Sequence, residues 1–143
     1  MSTQTITFHS QHPTFRMRDS ALTKRWLTEC AATHNTQLDG LNFLFCSDEH
    51  MLEANRQFLD HDYYTDILTF PAHSSKGLAG DILISIDRVR DNARTMNLSP
   101  QQELARVMAH GVLHLIGYRD DTDEHRDEMH QAENRWIYRR FNP

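Results

Sequence analysis

Two histidines four residues apart, His110 and His114, open the run His110-Gly-Val-Leu-His114-Leu-Ile-Gly117-Tyr-Arg-Asp120. On a helix, such a pair leaves one face with β-carbons roughly 5–6 Å apart. Two imidazoles so placed reach adjacent corners of a tetrahedral metal site. Gly117 tolerates positive φ and can end the helix, and the chain that turns back there carries Asp120 toward the same centre. Two nitrogens and one carboxylate leave a fourth position open, which is the mark of a catalytic rather than a structural ion. Asp120, Asp121, Asp123 and His125 all compete for the third place, and its position directly after the turn favours Asp120. Zinc is the expected ion, and the carboxylate keeps manganese and nickel as rivals. The plainer reading is a chance pair, because the chain holds ten histidines. The glycine and the acid that follow His114 speak for the metal.

The helix bearing this pair has its own signals. Ser99 with Gln102 three residues on forms a capping box, and Pro100 occupies the first helical position. Apolar positions at Val107, Leu113 and Leu115 carry the helix on to a stop at Gly117. A last helix spans Thr122 to Phe141, acidic in its first turn (Asp123, Glu124) and basic in its last (Arg139, Arg140), as the helix dipole prefers. Met129 and Trp136 read as its core contacts. Upstream, Thr3 to Phe8 reads as a strand, and Asp19 or Ser20 caps a helix with Leu22, Trp26, Leu27 and Cys30 as its stripe, fading near Asn35. Leu41, Phe43 and Phe45 alternate as the inner face of a strand. Ser47 caps a helix with Met51, Leu52, Asn55 and Phe58 at helical spacing. Asp60 to Tyr64 reads as a loop, Ile67 to Pro71 and Asp81 to Ile86 as strands, Ala72 to Gly80 as a mobile hairpin-like connection, and Asp87 to Met96 as a short helix. The interleaved order predicts an α+β fold, one small mixed sheet of about four strands packed by about five helices, in a single domain over residues 1–143.

The composition narrows the function. With 143 residues the chain is long enough to fold on its own core. Twenty acids against fifteen bases give a net charge of −5, which argues against coating nucleic acid by bulk charge. No stretch approaches 18 apolar residues, and the opening MSTQTITFHS lacks a basic start followed by an apolar run, so no membrane span or secretory leader is expected. Cys30 and Cys46 lie within helix-like and strand-like patterns, as suits reduced thiols in a cytoplasmic protein.

The string HGVLHLIGYRDD, with Met129 and Glu133 beyond it, resembles the signature of the YbeY family of rRNA-maturation endoribonucleases. Asn55 to Phe58, Thr65-Asp-Ile-Leu-Thr-Phe-Pro71 and Gly80-Asp-Ile82 resemble the family's other blocks in the right order, and the likeness covers residues 40 to 135. The resemblance implies an α+β fold, one zinc held by three histidines on and after a helix, and a role in processing small-subunit rRNA. The implied activity is a single-strand-specific, metal-dependent endoribonuclease, with precursor rRNA and the small ribosomal subunit as partners and no DNA. Carried over, His110 and His114 match the first two ligands, and the third histidine falls at Asp120. The family also places an arginine a few residues before the threonine of the TDILTFP-like block, and that position is Leu59. Arg56, one helical turn earlier, is the candidate substitute. An arginine there could hold a phosphate, whereas its plainer role is a solvated helix surface.

Further candidates are weaker. Asp66 and Asp81 lie at strand edges, where a carboxylate can point into a cleft and move a proton, although turn or cap roles are commoner. Arg90 and Arg94 share a helix face and are candidates to line an RNA groove beside the metal. Arg135, Arg139 and Arg140 form a second basic cluster. Tyr118 can donate to a substrate or simply pack at the helix end. His50, His61, His73, His125 and His130 read as surface or loop histidines. Two rival functions remain in view. One is a non-catalytic ribosome assembly factor with a structural metal. The other is a zinc metalloprotease, which His-x-x-x-His-x-x-Gly echoes, but such proteases put a glutamate base directly after the first histidine. Here that residue is Gly111.

Overall fold

A computed structural model describes residues 5–59 and 65–142. In chain order its elements are β1 (Ile6–Ser10), α1 (Ser20–Ala32), β2 (Leu38–Cys46), α2 (Asp48–Leu59), β3 (Ile67–Ala72), β4 (Leu78–Ser85), α3 (Ile86–Thr95), α4 (Pro100–Ile116) and α5 (Asp123–Phe141). The strands lie in the order β1-β2-β4-β3. β1, β2 and β4 run parallel, and β3 is antiparallel to β4. The fold is therefore α+β, a mixed four-stranded sheet with five helices, as the sequence predicts. No helix among the described residues is long and apolar enough to cross a membrane.

The period of two sorts each strand. Leu41, Phe43 and Phe45 of β2 and Ile82 and Ile84 of β4 are fully buried on one face, where they meet Trp26 and Leu27 of α1, Met108, Val112 and Leu113 of α4, and Met129 and Trp136 of α5 in one core. The Trp26 indole N–H donates to the Trp136 carbonyl at 2.8 Å, tying α1 to α5 through the core. On the opposite face α2 covers only one end, where Met51 and Ala54 pack on Cys46 and Leu68. Beyond the half-buried pair Leu44 and Leu83, that face carries polar rungs. The Thr7 hydroxyl donates to Asn42 Oδ1 at 2.6 Å, and Asn42 Nδ2 donates to Asp81 Oδ1 at 3.0 Å. Such cross-strand pairs are the ordinary unit of sheet stabilisation, so Asp81 is a rung of a surface ladder.

The placement of α4 matters most for the site. Ser99 accepts from the Gln102 N–H while the Gln102 side chain accepts from the Ser99 N–H, completing the expected box. At the other end Gly117, at φ +132°, donates to the carbonyls of Leu113 and His114. Between the two histidines, Gly111 lets the helix lie close to the sheet. A β-carbon there would stand 2.8 Å from Ile67 Cδ1 and 3.2 Å from Ile82 Cγ2, closer than side-chain carbons pack.

Several boundaries differ from the sequence reading. β1 ends two residues later, at Ser10, and the polar run 60–64 lies outside the described residues. β4 starts at Leu78 rather than Asp81, because Leu78 N–H donates to the Gln37 carbonyl and Ala79 and Gly80 pair with Ala72 and Pro71. The serines and glycines around it disguise a strand in which Gly80 is required: a β-carbon there would lie 2.8 Å from the Phe70 carbonyl oxygen. Asp19 does not cap α1 with its side chain. Its backbone sits at φ 54°, away from the extended conformation from which a cap side chain reaches the first turn. α3 begins one residue early, capped by Ser85.

Cys30 and Cys46 are both free and buried. Burial pushes each thiol up to about 12. The native protein is therefore expected to leave Ellman's reagent unreacted at neutral pH and to expose both thiols only in denaturant. The sign of the linkage follows: in alkali the unfolded chain loses these protons first. The stability tied to them is complete below the unfolded value of about 8.5 and is lost as pH climbs toward 12. A urea midpoint that stayed level across that window would contradict the assignment.

Candidate metal centre

Beyond the C-terminal half of α4 the sheet edge and the Gly117 turn enclose a cavity of about 360 Å³. Thr65, Asp66, Ile67 and Thr69 line it from β3 and the approach to it, Arg106, Val107, His110 and His114 from α4, and Asp120 from beyond the turn. His110 Nδ1 lies 2.6 Å from Glu133 Oε2 on α5. Its other nitrogen, Nε2, faces Asp120 Oδ2 at 3.7 Å. Two donors at zinc distances on a tetrahedral ion stand about 3.4 Å apart, so this pair is a few tenths of an ångström from sharing one. His114 Nδ1 lies 3.3 Å from the Thr69 hydroxyl, an arrangement that reserves its Nε2 in the same way. Among the described residues no three His, Cys, Asp or Glu side chains are drawn together as a ready-made metal cluster. The donor chemistry, two imidazoles and a carboxylate, nonetheless suits zinc, manganese or nickel.

The support beneath His110 is charged and buried. Glu133 and Glu103 have side chains only 1% and 0% exposed. Arg106 stands between them. Its Nε donates to Glu103 Oε1 at 2.9 Å, its Nη2 donates to Glu103 Oε2, and its Nη1 lies 3.5 Å from Glu133 Oε1. A carboxylate taken out of water is tolerated only when paired, and here Glu103, Arg106, Glu133 and His110 form one continuous chain. Burial works against a charged His110, but the hydrogen bond it donates to Glu133 and the charges of Glu133, Asp120 and Asp66 outweigh it and hold the imidazole above its ordinary pKa. A histidine that hydrogen-bonds a carboxylate through one nitrogen has its ring and tautomer fixed for ligation through the other.

A family model described as Endoribonuclease YbeY matches residues 5–141. The chain belongs to the YbeY family. An Endoribonuclease YbeY of Cytophaga hutchinsonii is 45% identical over 135 residues, covering 94% of this chain and 94% of its own. One from Porphyromonas gingivalis strain W83 is 43% identical over 111 residues, 78% of this chain and 74% of its own. Among solved structures, a Thermotoga maritima protein determined in solution matches with a TM-score of 0.68 at 28% identity, covering 96% of this chain and 89% of its own.

Within the YbeY fold of this chain the proposed site residues divide. His110, His114, Asp120 and Asp66 share the cavity. The competitors of Asp120 are engaged elsewhere: Asp121 with His125 at 2.6 Å and with Arg119, and Asp123 with Arg126. Asp81 does not line the cavity. The pleat turns it to the sheet's polar face beside Asn42. Arg56 is exposed on α2 and Leu59 ends that helix, and neither lines the cavity. The expected groove arginines are also absent from it. Arg90 lines a different cavity, and Arg94 pairs with Asp91 at 3.3 Å on the α3 surface. Tyr118 packs edge-on against His34, with ring centroids 5.6 Å apart. Gly111 faces Ile67 and Ile82 of the sheet, so the metalloprotease reading has no base where it needs one.

Thr69, Glu103 and Arg106 went unremarked in the sequence, and Glu133 figured there only as part of the family likeness. A signal for Glu133 exists. Met129, Ala132 and Trp136 form the buried stripe of α5, and position 133 falls on the same face at 3.6 residues per turn. An acid on a core stripe demands a cationic or donor partner.

Proposed function

We propose that this YbeY-family chain is a metal-dependent endoribonuclease that cuts single-stranded RNA during maturation of small-subunit rRNA, in the cytoplasm and in company with the small ribosomal subunit. The ion is zinc, held by His110, His114 and Asp120. The observation that carries this reading is His110, braced by buried Glu133 on one nitrogen and facing Asp120 across the cavity with the other.

A bound divalent ion supplies Lewis-acid polarisation of a phosphoryl oxygen or a water of lowered pKa. The chain's own residues do the rest. Glu133 keeps the His110 Nδ1 proton, so that Nε2 offers its electron pair, and Thr69 steadies His114. His114, lining the same cavity, would supply the second imidazole to the ion. Arg106 is occupied by Glu103 and Glu133 and therefore acts as a positioning residue rather than as a phosphate clamp. Asp66, on the same wall, takes the proton released by the attacking oxygen. A recess of about 360 Å³ admits a strand whose backbone can bend into it, which an RNA duplex resists.

The test is metal removal. The chelated protein is expected to keep its far-UV circular dichroism and to lose cleavage of a single-stranded oligonucleotide by more than about a hundredfold. Stoichiometric zinc should restore it, and a blunt RNA duplex should stay intact throughout. Cleavage that survives complete metal depletion would refute the proposal, and unfolding on chelation would transfer the ion to a structural role in an assembly factor.

A further inference from the structure

A second cavity, of about 540 Å³, opens on the far side of α4. Leu104, Ala105 and Met108 form its α4 wall, whereas Arg106, Val107, His110 and His114 face the metal centre. At 3.6 residues per turn these two sets point roughly 150° apart. The two cavities share a wall and no lining residue.

Its chemistry is unlike the rest of the surface. Arg16, Arg18, Arg90 and Arg140 line it, against one acid, Asp19, in a chain whose net charge is −5. Several arginines elsewhere have carboxylate partners: Arg88 pairs with Asp48, Arg106 with Glu103 and Arg126 with Asp123. Among the described residues no carboxylate lies within ion-pair distance of any of the four. Arg90 is aimed by neutral groups, donating to the Thr14 hydroxyl at 2.9 Å and the Thr14 carbonyl at 3.2 Å, which fixes its guanidinium, and Asp87 feels its charge only at longer range. The deeper lining is apolar, with Trp26, Ile86, Val89 and Met108 all nearly buried. At the rim the Arg140 guanidinium lies 5.2 Å from the Phe141 ring centroid, a flat cationic and aromatic edge of the kind on which nucleobases stack.

We propose that this cavity binds a nucleoside phosphate, its base against the apolar lining and its phosphate on the guanidinium rim. A free inorganic anion would leave the apolar lining unused, and a neutral apolar molecule would leave the guanidiniums without a counter-charge. A nucleoside phosphate answers both, since arginine forks match phosphate oxygens two at a time, and the volume falls within the range of small-ligand sites. The proposal does not depend on the metal centre. The moiety can arrive as a free nucleotide or as an unpaired nucleotide of an RNA strand.

Calorimetric titration of the intact protein with AMP, ADP, GMP, CMP, adenosine and inorganic phosphate tests it. At least one nucleotide is expected to bind saturably, with adenosine and phosphate each weaker by more than about tenfold. The double substitution Arg16→Glu with Arg18→Glu, on an exposed connection, should weaken that binding by about tenfold or more. Arg140→Gln, on a different element, serves if the double variant does not fold. Arg94→Glu, outside the cavity, should leave binding unchanged, and so should His110→Ala. Displacement of a fluorescent RNA oligonucleotide by the bound nucleotide would identify RNA as the source, and binding without displacement a free nucleotide. No saturable nucleotide binding, phosphate binding as tightly as nucleotide, or loss of binding in His110→Ala would each overturn the assignment.

Discussion

Alanine in place of His110 is expected to strip the protein of zinc and to lower RNA cleavage by more than about a hundredfold, because removing even a partner one shell out from a metal commonly costs 10–100-fold. His110 is the residue on which both halves of the site converge, bonded to Glu133 at 2.6 Å and facing Asp120 at 3.7 Å. His114→Ala should behave alike, since a single imidazole and a carboxylate make a poor zinc site. Asp120→Ala should lose less, keeping both nitrogens. Asp120→His is the informative exchange: it replaces a hard oxygen donor with the imidazole expected from the family resemblance, and should raise zinc over manganese in protein loaded from an equimolar mixture. Elemental analysis and an oligonucleotide cleavage assay on the same samples decide the matter. Full zinc content in His110→Ala would remove the centre from this cavity, and undiminished zinc in Asp120→Ala would move the third ligand elsewhere.

How far the sequence leads depends on whether the deciding contact is local. α4 and its two histidines are legible because the capping box, the apolar spacing and Gly117 act within one helix. The shared cavity of His110 and Asp120 follows from a turn only a few residues long. Asp66 and Asp81 are indistinguishable as strand-edge acids until the pairing is known. The register Asn42↔Asp81 and Phe70↔Asp81 turns Asp81 to the polar face, while Asp66 lies ahead of β3 on the cavity wall. Arg90 fails as a partner of the metal for a similar reason. Its spacing with Arg94 does place both on one face of α3, but the side of α4 against which α3 packs is a tertiary fact. Gly111 is a third case: as a residue without a proton to move it counts against a protease, and only the close approach of Ile67 and Ile82 shows what it does instead.

Glu133 gives the second large effect. Glutamine there keeps the shape and still accepts from His110 Nδ1, but it removes the charge that faces both His110 and Arg106. Zinc affinity and cleavage are expected to fall 10–100-fold together, the usual cost of losing a carboxylate behind a ligating histidine, with a stability loss of about 1–2 kcal/mol. Alanine goes further. It leaves the imidazole N–H without an acceptor and opens a void in the buried stripe between Met129 and Trp136, so a loss of about 3 kcal/mol is expected. The retained Glu103–Arg106 pair keeps it from being larger. A double-mutant cycle separates bracing from bulk stability. If Glu133 acts through His110, Glu133→Gln should weaken zinc binding in the wild-type background and have little further effect on His110→Ala, a coupling of 1–3 kcal/mol being typical of residues in one network. Glu133→Gln protein that binds zinc and cuts RNA as the wild type does would show that the buried carboxylate serves the fold alone.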